Sequence, residues 1–366
     1  MHSKPCLVRL LVGLAWVGTL AACQNHKAQD RNRQGDVLTY ARLLTISEHD
    51  GQAEVTVSDP WHEGRALQKV LVADGRKAHL PRPFKRAVVF TASHCQLMEY
   101  LGLADRIVGV CDAQYIHIAD IQKRLRDGRI SDCGNATSPD IERIVSLRPD
   151  VIIVSPFEGS GGFGKLETLG VPIIQAADYM ETSALGRAEW MRYYGRLFGQ
   201  AGRADSLFHV VAANYQRLRR YAARLPKGRS ILTERKTGAT WYTPGGASSV
   251  GIIIRDANGR YAFADDRHGG SLALSAEQII AKAGESDVWA FKYNGTTPMS
   301  RKDLLEEYHG YSALKAFRTG EIYECNTTSI PYFEEVPFRP DYLLREMIIL
   351  LHPEVKLGKL RYYQRL

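Results

Sequence analysis

Apolar residues in this chain gather in short unbroken blocks separated by stretches with helical spacing. Ala87-Val88-Val89-Phe90, Ile107-Val108-Gly109-Val110 and Val151-Ile152-Ile153-Val154 are strands of the kind buried on both faces of a parallel sheet. Gln96–Leu101, closed by Gly102, and Ile141–Leu147 read as helices between them. Leu166–Leu169 ends in Gly170 and leads to Val171-Pro172-Ile173-Ile174. Strand and helix in alternation predict βαβ units with right-handed crossovers. From Thr182 to Leu225 the pattern is predominantly helical, broken near Gly199–Gly202. Its second part, Ala204–Leu225, is about 22 residues, or roughly 33 Å at 1.5 Å per residue, enough to run down one domain and reach another. After Pro226-Lys227-Gly228 the same grammar restarts with Ser230-Ile231-Leu232, the apolar block Ile252–Ile254, Glu277–Ala283, Asp287-Val288-Trp289-Ala290 and a closing helix near Tyr342–Leu351.

Two flanking patterns precede this body. Tyr40–Ile46 and Ala53–Val57 enclose the turn His49-Asp50-Gly51 and predict a β-hairpin, and Lys69–Val72 before Ala73-Asp74-Gly75 adds a strand and turn. At the start, Lys4 and Arg9 lead into an apolar run, Leu10–Leu20, then Ala21-Ala22-Cys23. A spanning helix needs about 20 residues, so this run reads as the apolar region of a secretory signal. Gln24 to Asp36 is polar without an apolar period and reads as a flexible tether.

The second half echoes the first. Glu142 lies in the first turn of a helix, with apolar Ile144 and Val145 after it and Asp150-Val151 opening a strand. Glu277 is followed in the same way by Ile279 and Ile280, then Asp287-Val288. Eight residues separate Glu from Asp in one copy and ten in the other. This is the signature of a duplicated unit.

Composition removes some function classes. The 366 residues are 45% hydrophobic and 24% charged, ordinary for a globular protein. The formal charge of +8 falls to +6 without Lys4 and Arg9, and no basic block is interleaved with aromatics, so nucleic acid is not expected as a partner. No G-x-S-x-G or H-E-x-x-H pattern occurs, and no catalytic residue is expected. The glycine-rich turn Glu158–Gly164 lacks the Gly-Lys-Ser/Thr ending of a phosphate loop. Beyond Cys6 and Cys23 the cysteines are Cys95, Cys111, Cys133 and Cys325, with no C-x-x-C pair. Export permits one bridge among the first three, and small buried hydrophobes are the equal alternative.

The ordered set Arg86–Phe90, Leu101-Gly102 with Asp105–Val110, the Glu142 unit with Leu147-Arg148-Pro149-Asp150, Leu169–Pro172, the long helix, the Glu277 unit, and Arg339-Pro340-Asp341 with His352-Pro353-Glu354 resembles one family. It is that of substrate-binding proteins of bacterial ABC importers, the group with receptors for iron–siderophores, cobalamin and haem. The resemblance covers Arg86 to Glu354, and Leu-Ala-Ala-Cys23 resembles a bacterial lipobox. It implies an α/β fold of two Rossmann-like lobes linked by a single long backbone helix, with a ligand cleft between the lobes and the N-terminal β-hairpin extension ahead of them. The expected segments are residues 1–22 as signal peptide, 23–36 as lipidated tether, 37–85 as β extension, 86–202 as first lobe, 203–226 as linking helix and 227–366 as second lobe.

The resemblance also implies roles. Cys23 is the lipidated residue that anchors a periplasm-facing protein to the membrane. Glu142 and Glu277 dock on an ABC permease dimer. The ligand is a metal chelate: an iron–siderophore first, then cobalamin, then haem. By position at strand ends, the cleft residues are Ser93, His94, Asp112, Tyr115, Phe157 and Tyr179 on the first lobe, and Arg235, Trp241, Tyr242, Tyr293 and Tyr332 on the second. Aromatic faces suit a large flat ligand, and Arg235 its anionic groups. His94, His117 and His268 lack ligand spacing, so neither a bare-metal site nor a resident cofactor is expected; His94 is the first candidate for an axial contact to a haem or corrinoid. The alternative is a tetrapyrrole-processing enzyme on the same scaffold, with His94 and Asp112 as its only conceivable acid/base pair.

Overall fold

The computed structural model describes residues 36–73, 83–159 and 162–366. The expectations for the signal segment, Cys23, the tether up to residue 35 and the turn after Ala73 lie outside the described residues.

Strands β1 (Leu44–His49), β2 (Gln52–Ser58) and β3 (Ala66–Ala73) form an antiparallel sheet in that order. Leu44, Ile46, Val55 and Val57 alternate inward and are buried, as a period of two demands on a one-sided sheet. Two buried carboxylates fasten the chain just ahead of it. Glu189 accepts backbone N–H groups from Thr39, Tyr40 and Ala41, and Glu181 accepts those of Arg42 and Leu43 together with the Trp190 indole N–H.

The first lobe follows: β4 (Ala87–Val89), α1 (Ala92–Tyr100), β5 (Ile107–Val110), α2 (Ala119–Arg126), β6 (Ser131–Asp132), a small hairpin of β7 (Gly134–Asn135) and β8 (Ser138–Pro139), α3 (Ile141–Ser146), β9 (Val151–Val154) and β10 (Ile173–Gln175). Its parallel sheet runs β10-β9-β4-β5-β6. Helices α4 (Ala184–Glu189) and α5 (Met191–Leu197) lead into α6 (Ala201–Ala222), the long helix between the lobes. Ala204, Phe208, Val211, Tyr215 and Ala222 make one buried stripe along α6.

The second lobe holds β11 (Ser230–Thr233), β12 (Lys236–Thr237), β13 (Thr240–Pro244), α7 (Ser249–Asp256), β14 (Arg260–Tyr261), β15 (Ser271–Leu274), α8 (Ala276–Ala283), β16 (Val288–Tyr293), α9 (Arg301–Glu307), α10 (Lys315–Thr319), β17 (Ile322–Asn326), α11 (Tyr332–Glu335), α12 (Pro340–Leu351) and β18 (Gln364–Arg365). Its main sheet runs β14-β11-β16-β17-β18, parallel except for β18, and β12-β13-β15 form a side sheet. Helix α12 packs on α6, and α11 packs on α1 of the first lobe. Glu334 of α11 accepts the His117 backbone N–H at 3.1 Å, which ties the lobes across the cleft.

The two sheets superpose in topology: β4, β5, β9 and β10 occupy the places of β11, β14, β16 and β17. Glu142 and Glu277 are therefore equivalent, each the second residue of an N-capped helix, with Asp140 and Ser275 as caps. The aspartates of the repeat do one job. Asp150 accepts the Lys85 and Arg86 N–H groups ahead of β4, and Asp287 accepts the Ser230 N–H that opens β11.

Two segments differ from the expectation. The helix expected over Gln96–Leu101 already starts at Ala92, with only Phe90 and Thr91 between it and β4. The Ile252–Ile254 block is not a strand but the interior of α7, where Ser248 caps the helix by accepting the Gly251 N–H and packing overrides β-branched propensity.

Candidate functional site

In parallel α/β sheets ligands collect beyond the carboxyl ends of the strands. Here the end of β4 faces those of β11 and β16 across a cavity of about 670 Å³. The first lobe contributes Thr91, Ala92 and Ser93, around the start of α1, and Arg187 of α4. The second contributes Glu234 and Arg235 after β11, Tyr242 of β13, Ser248 and Ser249 at the start of α7, Lys292 of β16, and Tyr332 and Phe333 of α11. A side recess of about 420 Å³ shares Thr91, Ser93 and Arg187 and adds Ser155, Pro156, Phe157, Asp178 and Tyr179. Both volumes fall in the range of about 300–1,000 Å³ typical of small-molecule sites.

The charged groups of the cleft are held by partners. Arg235 is paired with Glu307, and Lys292 with Glu234. The Lys292 ammonium also lies 5.1 Å over the Tyr332 ring. Burial works against its charge, yet the Glu234 carboxylate holds its pKa above the ordinary lysine value. Glu234 adopts a left-handed backbone with φ of 63°, a conformation that costs a side-chain-bearing residue about 1 kcal/mol. Its N–H donates to Ala290 O and its carbonyl accepts the Trp289 indole N–H, and these bonds fix the turn that aims its carboxylate at Lys292.

On the opposite wall a chain of polar groups backs Arg187. Thr91 Oγ1 is 2.6 Å from His94 Nδ1, and His94 Nε2 is 2.8 Å from Asp178 Oδ1. Asp178 Oδ2 accepts the Arg187 Nε–H at 2.9 Å. His94 and Asp178 are each 1% exposed.

Of the residues expected in the cleft, Ser93, Arg235, Tyr242 and Tyr332 line the main cavity, and Ser93, Phe157 and Tyr179 line the recess. Tyr115 is exposed but lines neither cavity. Asp112, with φ of 52°, accepts the Ala136 N–H and is likewise outside both linings. Three side chains are turned away. Trp241 is sealed among Trp289 and Tyr311 and donates to Thr233 O, so it is core. Tyr293 is buried with its hydroxyl donating to Thr297 O. His94 has both ring nitrogens engaged behind the wall, which leaves none for an axial bond. Its carboxylate partner is Asp178, not the Asp112 that the enzyme alternative would need. Reading strand ends missed Arg187 and Lys292, which sit inside a helix and a strand. Cys95, Cys111, Cys133 and Cys325 are buried free thiols; burial pushes Cys133 up to about 11 and Cys325 up to about 12.

Fold and cleft together define a two-lobe binding protein that encloses its ligand between α/β lobes. The chain belongs to the periplasmic binding protein family, whose model matches residues 88–328. An uncharacterized lipoprotein of Methanocaldococcus jannaschii is 25% identical over 356 residues, spanning 88% of this chain and 83% of its own. Among solved structures, a periplasmic heme binding protein from Pseudomonas aeruginosa is similar with a TM-score of 0.60 and 17% identity, over 77% of this chain and 98% of that one. An ABC-type Fe3+-hydroxamate transport system from Saccharomonospora viridis is similar with a TM-score of 0.58 and 20% identity, over 80% and 97%. These likenesses establish the two-lobe fold.

Proposed function

We propose that this protein is the substrate-binding lipoprotein of an ABC importer and that it captures a metal chelate, an iron–siderophore before cobalamin or haem, for delivery to a permease dimer. The observation that carries the reading is the shared cavity, walled by both lobes with aromatic side chains and by three cations, Arg187, Arg235 and Lys292. A chelate that is part flat and part anionic matches such a wall. The structural relatives named for Fe3+-hydroxamate transport and heme binding point the same way. Cys23 supplies the lipid anchor on this reading, and exposed Glu142 and Glu277, at equivalent helix starts, are the docking carboxylates for basic pockets of the permease. The role is binding and release, without covalent chemistry.

The test is a thermal-shift screen of the body from Gln24 onward against ferric siderophores, haemin, cyanocobalamin and Zn²⁺. A ligand at 100-fold over its Kd adds about 2.7 kcal/mol of stability. A rise in Tm with one chelate supports the reading and names the class. No shift with any of them, on folded protein, refutes it.

A further inference from the structure

We propose that His94 and Asp178 are positioning residues which fix how Arg187 presents its guanidinium to the cleft, and that binding of anionic ligand oxygens there depends on them. The second clause rests on the receptor reading above.

Asp178 gives one carboxylate oxygen to each neighbour, Oδ1 to His94 Nε2 and Oδ2 to Arg187 Nε. Arginine is thereby gripped through Nε alone. Among the described residues no acceptor engages its two terminal nitrogens, and the side chain keeps 27% exposure where the cavity and the recess meet. A guanidinium held by its inner edge offers its outer fork to a bidentate anion.

The direction of the chain follows from charge. Burial opposes ionisation of Asp178, but His94 and Arg187 outweigh it and hold its pKa below the usual carboxylate range. A carboxylate accepts only, so His94 Nε2 must carry a proton toward it. Nδ1 lies 2.6 Å from the Thr91 hydroxyl at the cleft wall, a group that serves the ring nitrogen as donor or as acceptor. Tyr194 and Phe338 pack the ring at centroid distances of 5.4 and 6.3 Å, which prevents it from turning.

The experiment combines two readouts on the full body of the protein. Ring ¹⁵N shifts of His94 in the unliganded protein are expected to report a proton on Nε2. Affinities for two probes, the trianionic ferric enterobactin and the neutral ferrichrome, are then compared across variants. His94→Gln places its amide nitrogen near the Nε2 position and keeps the donor to Asp178; His94→Asn reaches only the Nδ1 position. For the anionic probe, H94N and D178N are expected to lose about tenfold or more, as outer partners of a binding residue typically do, while H94Q stays within about threefold. Neither substitution is expected to add to Arg187→Gln, because both act through that residue.

An Nδ1–H tautomer, with no proton on Nε2, overturns the positioning role. So does equal loss in H94Q and H94N, or a loss that adds to R187Q. If wild-type protein binds neither probe, the anionic-ligand clause falls, while the chelate-receptor reading is decided by the thermal-shift screen. The tautomer, together with the rate at which phenylglyoxal modifies Arg187 in H94Q against H94N, still decides the positioning role: equal rates overturn it.

Discussion

Removing the Glu189 carboxylate is expected to loosen the whole N-terminal sheet. The side chain is fully buried, and its oxygens accept from Thr39 at 2.9 Å, Tyr40 at 2.6 Å and Ala41 at 2.8 Å. Hydrogen bonds to a charged acceptor contribute about 1.5–3 kcal/mol each, which sets a ceiling of about 9 kcal/mol for the three. Thr39 and Tyr40 lie near the surface, so water replaces part of what they lose, whereas the Ala41 N–H is buried and stays unpaired. Losing a buried carboxylate also removes its own desolvation cost. The net expectation for Glu189→Ala is about 3–4 kcal/mol of destabilisation.

Glu189→Gln separates charge from shape. Oε2 serves Tyr40 and Ala41, while Oε1 serves Thr39 and faces Arg192 at 3.6 Å. The amide keeps its oxygen on the Oε2 side, which leaves an NH₂ against the Thr39 N–H and the arginine. About 1–2 kcal/mol is then lost. Urea unfolding followed by tryptophan fluorescence measures both. A cost under about 1 kcal/mol for E189A, or equal costs for the two variants, refutes the account.

Four further expectations follow from single contacts. Alanine at both Glu142 and Glu277 abolishes uptake in cells while ligand affinity in solution stays unchanged; surviving uptake removes the docking role. Asp287→Ala costs about 2–3 kcal/mol and Asp150→Ala about 1 kcal/mol in urea melts, because Asp287 adds ion pairs with Lys315 and Arg260 to the cap that both provide. Gly109→Ala overpacks the first sheet by about 1–3 kcal/mol, since a Cβ there meets Leu147 Cδ1 at 2.7 Å and Cys133 Sγ at 2.8 Å. Asp178 and Asp287 both contribute to the loss of stability at low pH: burial opposes their charge, but His94 and Arg187 at the first and Lys315 and Ser230 at the second depress their pKa values. A depressed folded pKa contributes stability that is complete above the unfolded value of about 3.9 and lost as pH falls through the folded one, so Asp178→Asn flattens the stability profile below about pH 4.

The strands were legible because burial on both faces leaves unbroken apolar blocks such as Val151–Val154, and the duplication was legible because Glu142 and Glu277 recur with their caps and aspartates. Strand ends then located Ser93, Phe157, Tyr179, Arg235, Tyr242 and Tyr332 around the cavity. The failures share a cause in side-chain direction. Trp241 and Tyr242 are neighbours in β13 and so point to opposite faces; the sequence says that one faces the cleft without saying which. His94 was misplaced because α1 starts at Ala92, which turns the third residue of the helix inward toward Asp178. Arg187 was missed because what qualifies it is a contact with a carboxylate nine residues earlier on a separate turn, invisible to any local pattern.

The stretch from Asp178 to Glu189 joins the site to the N-terminal sheet. It carries three buried carboxylates that serve two directions: Asp178 grips Arg187 at the cleft, while Glu181 and Glu189 grip the backbone of residues 39–43. Between them α4 lies so close to the extension that a Cβ on Gly186 would sit 2.9 Å from the Tyr40 carbonyl oxygen, one reason glycine stands there. Arg187 is the next residue. Its place in the cleft is thus set from one side by His94 and Asp178 and from the other by the seating of the β extension. Closely packed elements of this kind transmit displacement instead of absorbing it. On these contacts the extension is part of the framework that holds the cleft wall, and loosening Glu189 should be felt at Arg187 as well as in the sheet.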